Sequence, residues 1–352
     1  MRIVYHLPSQ YSVYAQRTIY HGFKNAFIDL GHDFYTFTNN DDLKSLLQET
    51  NPDILITASH FFYRKHLDYD LLKKFRNNGM VMFTKLDYWN SPLPKARINE
   101  PKSLSKDIKT VELIKAGLLG DVFFHVVEQG DERMEGFEEA TGYPYYTIPL
   151  AADKTIYRNE CDRSFQADVS YVGTYLSSKQ AFFDEYVFPL RKKYDLKIYG
   201  QDWTFPDRML GWLQRFGQYY NIPYIRSIRK PKLQLDEERK IYSSSTICIN
   251  VHEEQQRIFG GDCNERTFKI PLCGGFEVSD NVACIRKYFK EEEEIIISND
   301  KQEWFEKIDH YLKNPDERMP IIRAGAKRVL MEHTYHNRVL QILRINEQVK
   351  GN

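Results

Sequence analysis

Short apolar segments alternate with amphipathic helical segments along most of the chain, and this alternation restricts the possible folds more than any other feature. In the first half, five segments are predicted to form strands: RIVYHL (2–7), GHDFYTFT (31–38), NPDILITASHFF (51–62), MVMFTKLDYW (80–89) and DVFFHVVEQ (121–129). A further short strand and a turn are predicted in TGYPYYTIPLAAD (141–153). Strands that alternate with helices at this spacing form a parallel sheet with crossover connections. We therefore predict an α/β fold.

Polar or ionisable side chains stand at the carboxyl ends of four of these strands, namely His6, His60, Asp87 and Glu128. Because parallel sheets bind ligands at this edge, the four side chains are candidates for a common site. The alternative is that each of them caps a helix or satisfies a loop.

The second half repeats the alternation after a polar, irregular segment at 156–166, which is predicted to link two domains. ADVSYVGTYLSSKQ (167–180) combines a strand, a turn at Gly173–Thr174 and the start of a helix, without a G-x-G-x-x-G or P-loop pattern. The next predicted strand ends at Tyr199–Gly200, and Trp203 follows it. Trp203 is predicted either to stack on a base or to belong to the core.

The segment NERTFKIPLCGGFEVSD (264–280) is predicted to form a short helix, a double-glycine stop and a buried strand, and it follows the strand TICINVH (246–252). Asn264, Glu265, Arg266 and Lys269 cluster near the start of this helix. The free N–H groups and the dipole of a helix N-terminus favour an anion. The segment is therefore predicted to bind the phosphates of a nucleotide-linked donor.

Composition narrows the class of protein. A chain of 352 residues is expected to form two domains, and its 49 basic and 49 acidic residues give no net charge, which argues against a dedicated nucleic-acid binder. The five cysteines have no paired spacing, so we predict reduced, buried thiols in a cytoplasmic protein. We recognise no signal peptide and no apolar run of about 20 residues that could span a membrane. Peripheral membrane attachment stays open.

The segment 206–232 interleaves aromatic residues, Trp212, Phe216, Tyr219, Tyr220 and Tyr224, with six basic residues between Arg208 and Lys232. This pattern is typical of contact with nucleic acid, with an anionic membrane surface or with an acceptor. The alternative is a solvated rim whose aromatic residues belong to the core.

The order and spacing of the segments in the second half resemble the CgeB-like (spore-maturation type) glycosyltransferases of the GT-B class. The resemblance extends over residues 167–338 and rests mainly on DVSYVGTY, LKIYGQDW, ERKIYSSSTICIN, NERTFKIPLCGGFEVSD and HTYHNR. It implies two Rossmann-like domains that face a central cleft. Residues 1–160 would bind the acceptor, residues 161–334 the nucleotide sugar, and residues 335–352 would form a helix that crosses back to the first domain.

The resemblance implies a metal-independent glycosyltransferase that moves a sugar from a UDP- or GDP-sugar to a hydroxyl acceptor, without a further cofactor. The acceptor would be a glycan, a lipid-linked molecule or another hydroxyl compound. Two alternatives stay open, namely a non-catalytic scaffold that binds nucleotide sugars and a GT-B-shaped nucleotide-sugar epimerase. A GT-A enzyme is disfavoured, because the one D-x-D sequence, Asp68-Tyr69-Asp70, is predicted to cap a helix.

The implied donor site lies between the Gly173–Thr174 turn and the helix that begins near Asn264. Arg266 and Lys269 would neutralise the charge of the leaving phosphate. His252 would face the sugar, and Asp87 or His60 would act as the base if the reaction inverts configuration. The predicted donor-binding residues are Gly173, Thr174, Tyr199, Gly200, Trp203, Asn264, Glu265, Arg266, Thr267 and Lys269.

One residue departs from the family pattern. Relatives carry a glutamate that binds the donor ribose where this chain has Lys269, and a lysine cannot accept hydrogen bonds from ribose hydroxyls. Pro271 is also unusual at its position. Three alternatives follow: Glu265 binds the ribose in place of the family's glutamate, the donor binds differently, or donor binding is lost.

Overall fold

The computed structural model describes residues 1–90 and 103–351, which form two compact units. The first unit contains Met1–Ser12 and the described parts of Phe23–Pro149 and Arg338–Asn352. The second unit contains Val13–Gly22 and Leu150–Asn337. The inclusion of Val13–Gly22 in the second unit has no counterpart in the sequence pattern.

The first unit is built on a six-stranded parallel sheet with the strand order β2-β1-β3-β4-β5-β6. Its strands are β1 (Arg2–His6), β2 (Asp33–Phe37), β3 (Ile54–Ala58), β4 (Val81–Lys85), β5 (Val122–His125) and β6 (Tyr145–Thr147). The helices between β1 and β6 in the sequence are α1 (Ala15–Asp29), whose residues up to Gly22 belong to the second unit, α2 (Leu43–Thr50), α3 (Phe61–Arg64), α4 (Tyr69–Asn77), α5 (Ile108–Lys115) and α6 (Phe137–Thr141). Short 3-10 turns lie at Leu104–Lys106 and Glu132–Met134.

The second unit is built on a five-stranded parallel sheet with the strand order β11-β10-β9-β7-β8. Its strands are β7 (Ala167–Val172), β8 (Leu196–Tyr199), β9 (Ser245–Asn250), β10 (Glu277–Asp280) and β11 (Ile296–Ser298). Its helices are α7 (Gln180–Phe182), α8 (Phe205–Tyr219), α9 (Leu235–Ser244), α10 (Glu254–Phe259), α11 (Arg266–Leu272), α12 (Ile285–Tyr288), α13 (Lys301–Lys313) and α14 (Pro315–Glu332). Shorter helical turns are Arg163–Phe165, Ser177–Lys179, Phe183–Val187, Phe188–Lys192 and Ile225–Ser227.

The last helix, α15 (Tyr335–Gly351), begins in the second unit, and from Arg338 onward it belongs to the first. Within the first unit, the Arg338 Nε donates a hydrogen bond to the Pro149 carbonyl (3.0 Å), and the Gln341 Nε2 donates to the Thr147 carbonyl (2.9 Å). These bonds fix the end of the chain to the sheet that the start of the chain builds.

Strands of parallel sheets are covered by helices on both faces, so their side chains are apolar almost throughout. In β3, four of five residues are buried, and in β5 all four are. The prediction of two parallel α/β domains is therefore confirmed. The predicted cap at the D-x-D sequence is confirmed as well, because the Asp68 side chain accepts a hydrogen bond from the Leu71 N–H (3.0 Å) at the start of α4.

The cysteines test the prediction of buried thiols, and the helices test the prediction that no segment spans a membrane. Four of the cysteines are free and buried, as predicted, but Cys161 is exposed, so the prediction is wrong for that residue. Its segment is polar on both sides, which leaves no apolar surface to cover the thiol. Among residues 1–90 and 103–351, no helix has the length and apolar character needed to cross a membrane.

Candidate functional site

A cavity of about 290 Å³ lies within the second unit, at the carboxyl ends of β7, β8 and β9. Seven of its lining residues belong to the predicted donor site: Gly173, Thr174, Gly200, Asn264, Glu265, Arg266 and Lys269. Other lining residues, which the sequence did not indicate, include Tyr14, Arg17, Thr18, Lys179, Gln201, Glu238, Glu253 and Gln256. Four cationic and three carboxylate side chains therefore meet around one cavity.

The turn at Gly173 forms one wall, and its backbone is held by the neighbouring strand. The Gly173 N–H donates to the Tyr199 carbonyl (2.9 Å), and the Trp203 Nε1 donates to the Gly173 carbonyl (2.8 Å). Gly200 has a φ of +126°, and a Cβ atom there would lie 2.2 Å from the Gly173 oxygen. Only glycine fits at Gly200 for both reasons. Tyr199 and Trp203 thus support the turn from behind and do not line the cavity.

Arg266 reaches the cavity from the start of α11. Its Nε donates to the Asn250 Oδ1 (3.0 Å), its Nη1 to the Val172 carbonyl (3.1 Å), and its Nη2 to the Val251 carbonyl (2.9 Å). These bonds use three of the five N–H groups of a guanidinium, which leaves one on each terminal nitrogen. The side chain is therefore held in one orientation with donors left for a ligand.

Asn250 holds Arg266 and is itself fixed by a buried carboxyl group. Its Oδ1 accepts hydrogen bonds from Arg266 and Asn264, while its Nδ2 donates to the Thr267 Oγ1 (3.0 Å) and the Glu277 Oε1 (2.7 Å). Burial raises the pKa of Glu277 to about 8, so this carboxyl group is mainly protonated at neutral pH. The amide of Asn250 cannot rotate without losing these four bonds, which fixes the position of the guanidinium.

Lys179 is a second cation at the cavity. It is 4% exposed, and its Nζ donates to the Val251 carbonyl (2.6 Å), the same carbonyl that Arg266 contacts. Burial, and then the charge of Arg266, lower the pKa of Lys179 to about 7. An anionic ligand would restore its charge. The residue lies in a short turn after β7, and only the helix start predicted near Ser177 pointed toward this region.

Lys269 also lines the cavity, but two carboxylates hold its ammonium group. The Lys269 Nζ lies 3.3 Å from Glu265 and 3.5 Å from Glu238, and it is 4.9 Å from the centre of the Tyr157 ring. Lys269, Glu265 and Glu238 are all buried. The predicted role of Lys269 at the leaving phosphate stays a prediction, and these ion pairs favour a structural role instead.

The two carboxylates are engaged by hydroxyl groups as well. The Glu238 carboxylate accepts hydrogen bonds from Tyr157 (2.6 Å) and Tyr242 (2.8 Å). The Glu265 carboxylate accepts from Tyr335 (2.7 Å) and from Thr18. Burial alone would raise the pKa of Glu238, but Lys269 and the tyrosine hydroxyls lower it below its ordinary value. Glu238 is therefore ionised, and both glutamates are hydrogen-bonded beside the cavity.

His252 is fully buried and does not line the cavity. Its Nδ1 donates to the Asp280 carboxylate (2.6 Å), and its Nε2 lies 3.2 Å from the Thr267 Oγ1. Burial lowers the pKa of His252, against the opposing effect of Asp280, so the imidazole is neutral. Its predicted contact with a sugar stays a prediction, and the geometry assigns it to the support of β9 and α11. Thr267, predicted to bind the donor, is likewise buried behind the cavity.

The two predicted bases lie in the first unit. His60 caps α3 and accepts a hydrogen bond from the Phe62 N–H (3.3 Å). Asp87 follows β4, and its N–H donates to the Ser59 Oγ (2.8 Å). The structure thus places both at the carboxyl edge of the neighbouring strands β3 and β4, as the alternation predicts. His6, at the end of β1, is fully buried, and burial followed by nearby His66 lowers its pKa to about 3.

Within the described residues, no group of three or more His, Cys, Asp or Glu side chains is arranged to hold a metal ion.

A family model described as glycosyl transferase-like matches residues 180–344. The match confirms the resemblance of the C-terminal half to glycosyltransferases, and it includes Arg266 and the ion pair of Lys269. No curated protein matches the chain in sequence at a significant level.

Solved structures share the fold over nearly the whole chain. Sucrose-phosphate synthase from Thermosynechococcus elongatus has a TM-score of 0.63 at 12% identity, with 99% of both chains covered. An alpha-glucosyltransferase in complex with UDP and a 13-mer DNA has a TM-score of 0.62 at 12% identity, again with 99% of both chains covered. HepE from Anabaena, in complex with UDP-glucose, has a TM-score of 0.58 at 11% identity and covers 99% of this chain and 100% of its own. The predicted GT-B fold class is confirmed.

Proposed function

We propose that this protein is a glycosyltransferase that moves a sugar from a nucleotide-sugar donor to a hydroxyl acceptor. The observation that carries the proposal is the cavity in the second unit, where Arg266 and Lys179 meet behind the Gly173 turn. The match of residues 180–344 to the glycosyl transferase-like family supports the same assignment.

The charges of the cavity suit a diphosphate leaving group. When the bond between the sugar and the diphosphate breaks, negative charge develops on the phosphate oxygen. Arg266 has two N–H groups left for that oxygen, and Lys179 adds a second charge from the same side. Preorganised donors of this kind stabilise a transition state strongly, because no reorganisation is needed when the charge appears. The site does not depend on the dipole of α11, which has only seven residues.

The donor is proposed to be a UDP-sugar, with a GDP-sugar as the alternative. Solved structures of the same fold contain UDP or UDP-glucose. The ribose would lie near Glu265, which lines the cavity and whose oxygens already accept bonds from Thr18 and Tyr335. The CgeB-like subtype remains part of the proposal.

The first unit is proposed to bind the acceptor, which would be a glycan, a lipid-linked molecule or another hydroxyl compound. If configuration inverts, Asp87 or His60 accepts the proton of the acceptor hydroxyl as its oxygen forms the new bond to the sugar. If configuration is retained, neither residue need act as a base.

A donor screen tests the proposal. Purified protein is incubated with UDP-, GDP-, CDP- and ADP-sugars, and release of the nucleoside diphosphate is measured with and without EDTA. We expect binding and slow hydrolysis of UDP-sugars that EDTA leaves unchanged. Binding without turnover on any acceptor would favour a scaffold, and a product that keeps its nucleotide would favour an epimerase. No nucleotide binding at all would contradict the proposal.

The titration of Lys179 leads to a pH-dependent affinity for the donor. Above a pKa of about 7 the free protein loses the charge of Lys179, so the dissociation constant of UDP-glucose should rise, by up to about tenfold per pH unit. A Lys179→Arg variant keeps its charge at every relevant pH and should lose this dependence. Calorimetry between about pH 6 and pH 8.5 measures the dissociation constant of UDP-glucose for the wild type and for the variant. An identical pH profile for the two proteins would remove Lys179 from donor binding.

A further inference from the structure

Helix α8 and the residue after it expose an apolar face. Large apolar side chains stand at positions 205, 209, 212, 213, 216 and 220, a spacing that places them on one side of a helix. Trp212 is 67% exposed, Phe205 66% and Tyr220 60%. Contiguous exposed apolar side chains of this size mark a surface that binds a partner. The other members of this face, called the α8 patch, are Met209, Leu213 and Phe216.

The buried face of α8 is polar or small, which is the reverse of an ordinary surface helix. Its buried residues are Asp207, Gly211, Gln214 and Gly217. At Gly211 the helix approaches its neighbours closely, since a Cβ atom there would lie 2.6 Å from Arg229 and 3.0 Å from Tyr14. The helix therefore packs against the second unit through its polar side, and its apolar side stays exposed.

Ion pairs hold this buried face in place. Arg229 lies 2.7 Å from both Asp202 and Asp207, and Lys232 lies 3.0 Å from Asp207. The segment behind α8 leads to the cavity, because Pro231 and Leu233 line it. The alternative that the aromatic residues of this segment belong to the core is wrong, since all five are exposed.

Basic residues lie within and directly after α8 in the sequence. The segment 205–232 contains six basic residues and one acidic residue, in a chain without net charge. The acidic residue, Asp207, is already paired, while Arg215 and Lys230 are exposed. Tryptophan and tyrosine prefer the boundary between headgroups and acyl chains, and exposed cations attract anionic lipids.

We propose that the α8 patch docks onto the surface of an anionic lipid bilayer, with α8 lying in the plane of the interface. At 15 residues, α8 is about 22 Å long, which suits an interfacial helix. Nucleic acid would pair with the cations, but its phosphate backbone offers no apolar surface for Met209 and Leu213. A second copy would bring two basic surfaces together, and like charges oppose such a contact. A bilayer matches both the apolar face and its charge.

Flotation with vesicles tests this proposal on the full chain. The vesicles contain phosphatidylcholine and phosphatidylglycerol in equal parts, and a second set contains phosphatidylcholine alone. We expect the protein to float with the anionic vesicles. Of the four tryptophans, Trp212 is the exposed one, while Trp89 and Trp304 are buried and Trp203 is partly buried. Its emission should therefore shift to shorter wavelength on binding.

Variants separate the patch from general stickiness. Trp212→Ser with Phe216→Ser should weaken vesicle binding at least about tenfold, because each side chain loses its apolar burial. Leu330→Ser with Met331→Ser, on the exposed side of α14, is the matched control and should float like the wild type. Arg215→Gln with Lys230→Gln should weaken binding severalfold on anionic vesicles. Trp212→Phe should keep binding and lose the emission shift.

Other outcomes would overturn the proposal. Flotation that the serine variants leave unchanged would do so, as would a failure of the wild type to bind anionic vesicles. A dimer that the same variants convert to a monomer would assign the patch to a second copy. Retention on duplex DNA that depends on the patch, without vesicle binding, would assign it to nucleic acid.

Discussion

Arg266→Ala is expected to lower the turnover of the donor by about 100- to 1,000-fold, the usual effect of removing one preorganised donor from a developing oxyanion. The guanidinium contacts two backbone carbonyls and Asn250, so alanine removes a side chain that is already in position before the donor arrives. The loss should appear mainly in kcat, because the interaction strengthens as the phosphate leaves. Release of the nucleoside diphosphate measures it.

Two further variants make this result specific. Arg266→Lys keeps the charge but cannot contact Asn250 and both carbonyls at once, so we expect an intermediate loss. Arg191→Ala removes an exposed arginine of the same unit and should leave turnover unchanged. Thermal unfolding of each variant shows whether the fold is intact. Activity of a folded Arg266→Ala variant within a few-fold of the wild type would remove the phosphate role.

The fold was largely predictable because its determinants are local. The order of apolar and polar side chains along the chain determines the alternation of buried strands with helices, and β3 and β5 show the expected burial. The cap at Asp68 is equally local, since a side chain and an N–H three residues apart decide it. Gly200 shows what the sequence could not predict. A glycine is required there because the backbone lies close to Gly173, and no sequence pattern indicates that contact.

The site was predictable where its residues directly follow a strand, as Gly173 and Gly200 do, or cluster at the start of one helix. Asn264, Glu265 and Arg266 follow one strand and reach one cavity. Lys179 and Glu238 come from separate segments, and an isolated Lys or Glu in a polar stretch gives no sign that it is buried. The Val13–Gly22 segment belongs to the second unit although it contains the first half of α1, the remainder of which belongs to the first unit. Only the three-dimensional contacts of Thr18 with Glu265 make its place evident.

His252 shows how a correct pattern still misses a contact. A histidine at the end of β9 is well placed for a ligand, and the sequence offered no reason to pair it with Asp280, 28 residues later. Parallel pairing of β9 with β10 brings the two together. The same pairing sets Glu277 beside Asn250, and so builds the support of Arg266.

The surroundings of Lys269 explain why a lysine is tolerated at a position where the family resemblance implies a glutamate. Glu238 of α9 and Glu265, the residue directly before α11, approach its ammonium group, so the buried positive charge is compensated by two carboxylates. Removing one partner from a buried ion pair costs about 3–5 kcal/mol, because the remaining charge is left without compensation. Donor recognition and fold stability at this residue can therefore be separated by experiment.

Lys269→Glu is expected to unfold the second unit or to lower its melting temperature by about 10 °C or more, since it places three carboxylates together in a buried site. Lys269→Met should be less harmful, and adding Glu238→Gln should recover part of the loss, which a double-mutant cycle measures. Lys193→Glu is the control: its pair with Asp309 is exposed, so stability should change by about 1 kcal/mol or less. A folded Lys269→Glu protein with wild-type stability would contradict the ion-pair assignment, and unchanged donor affinity in it would exclude Lys269 from donor recognition.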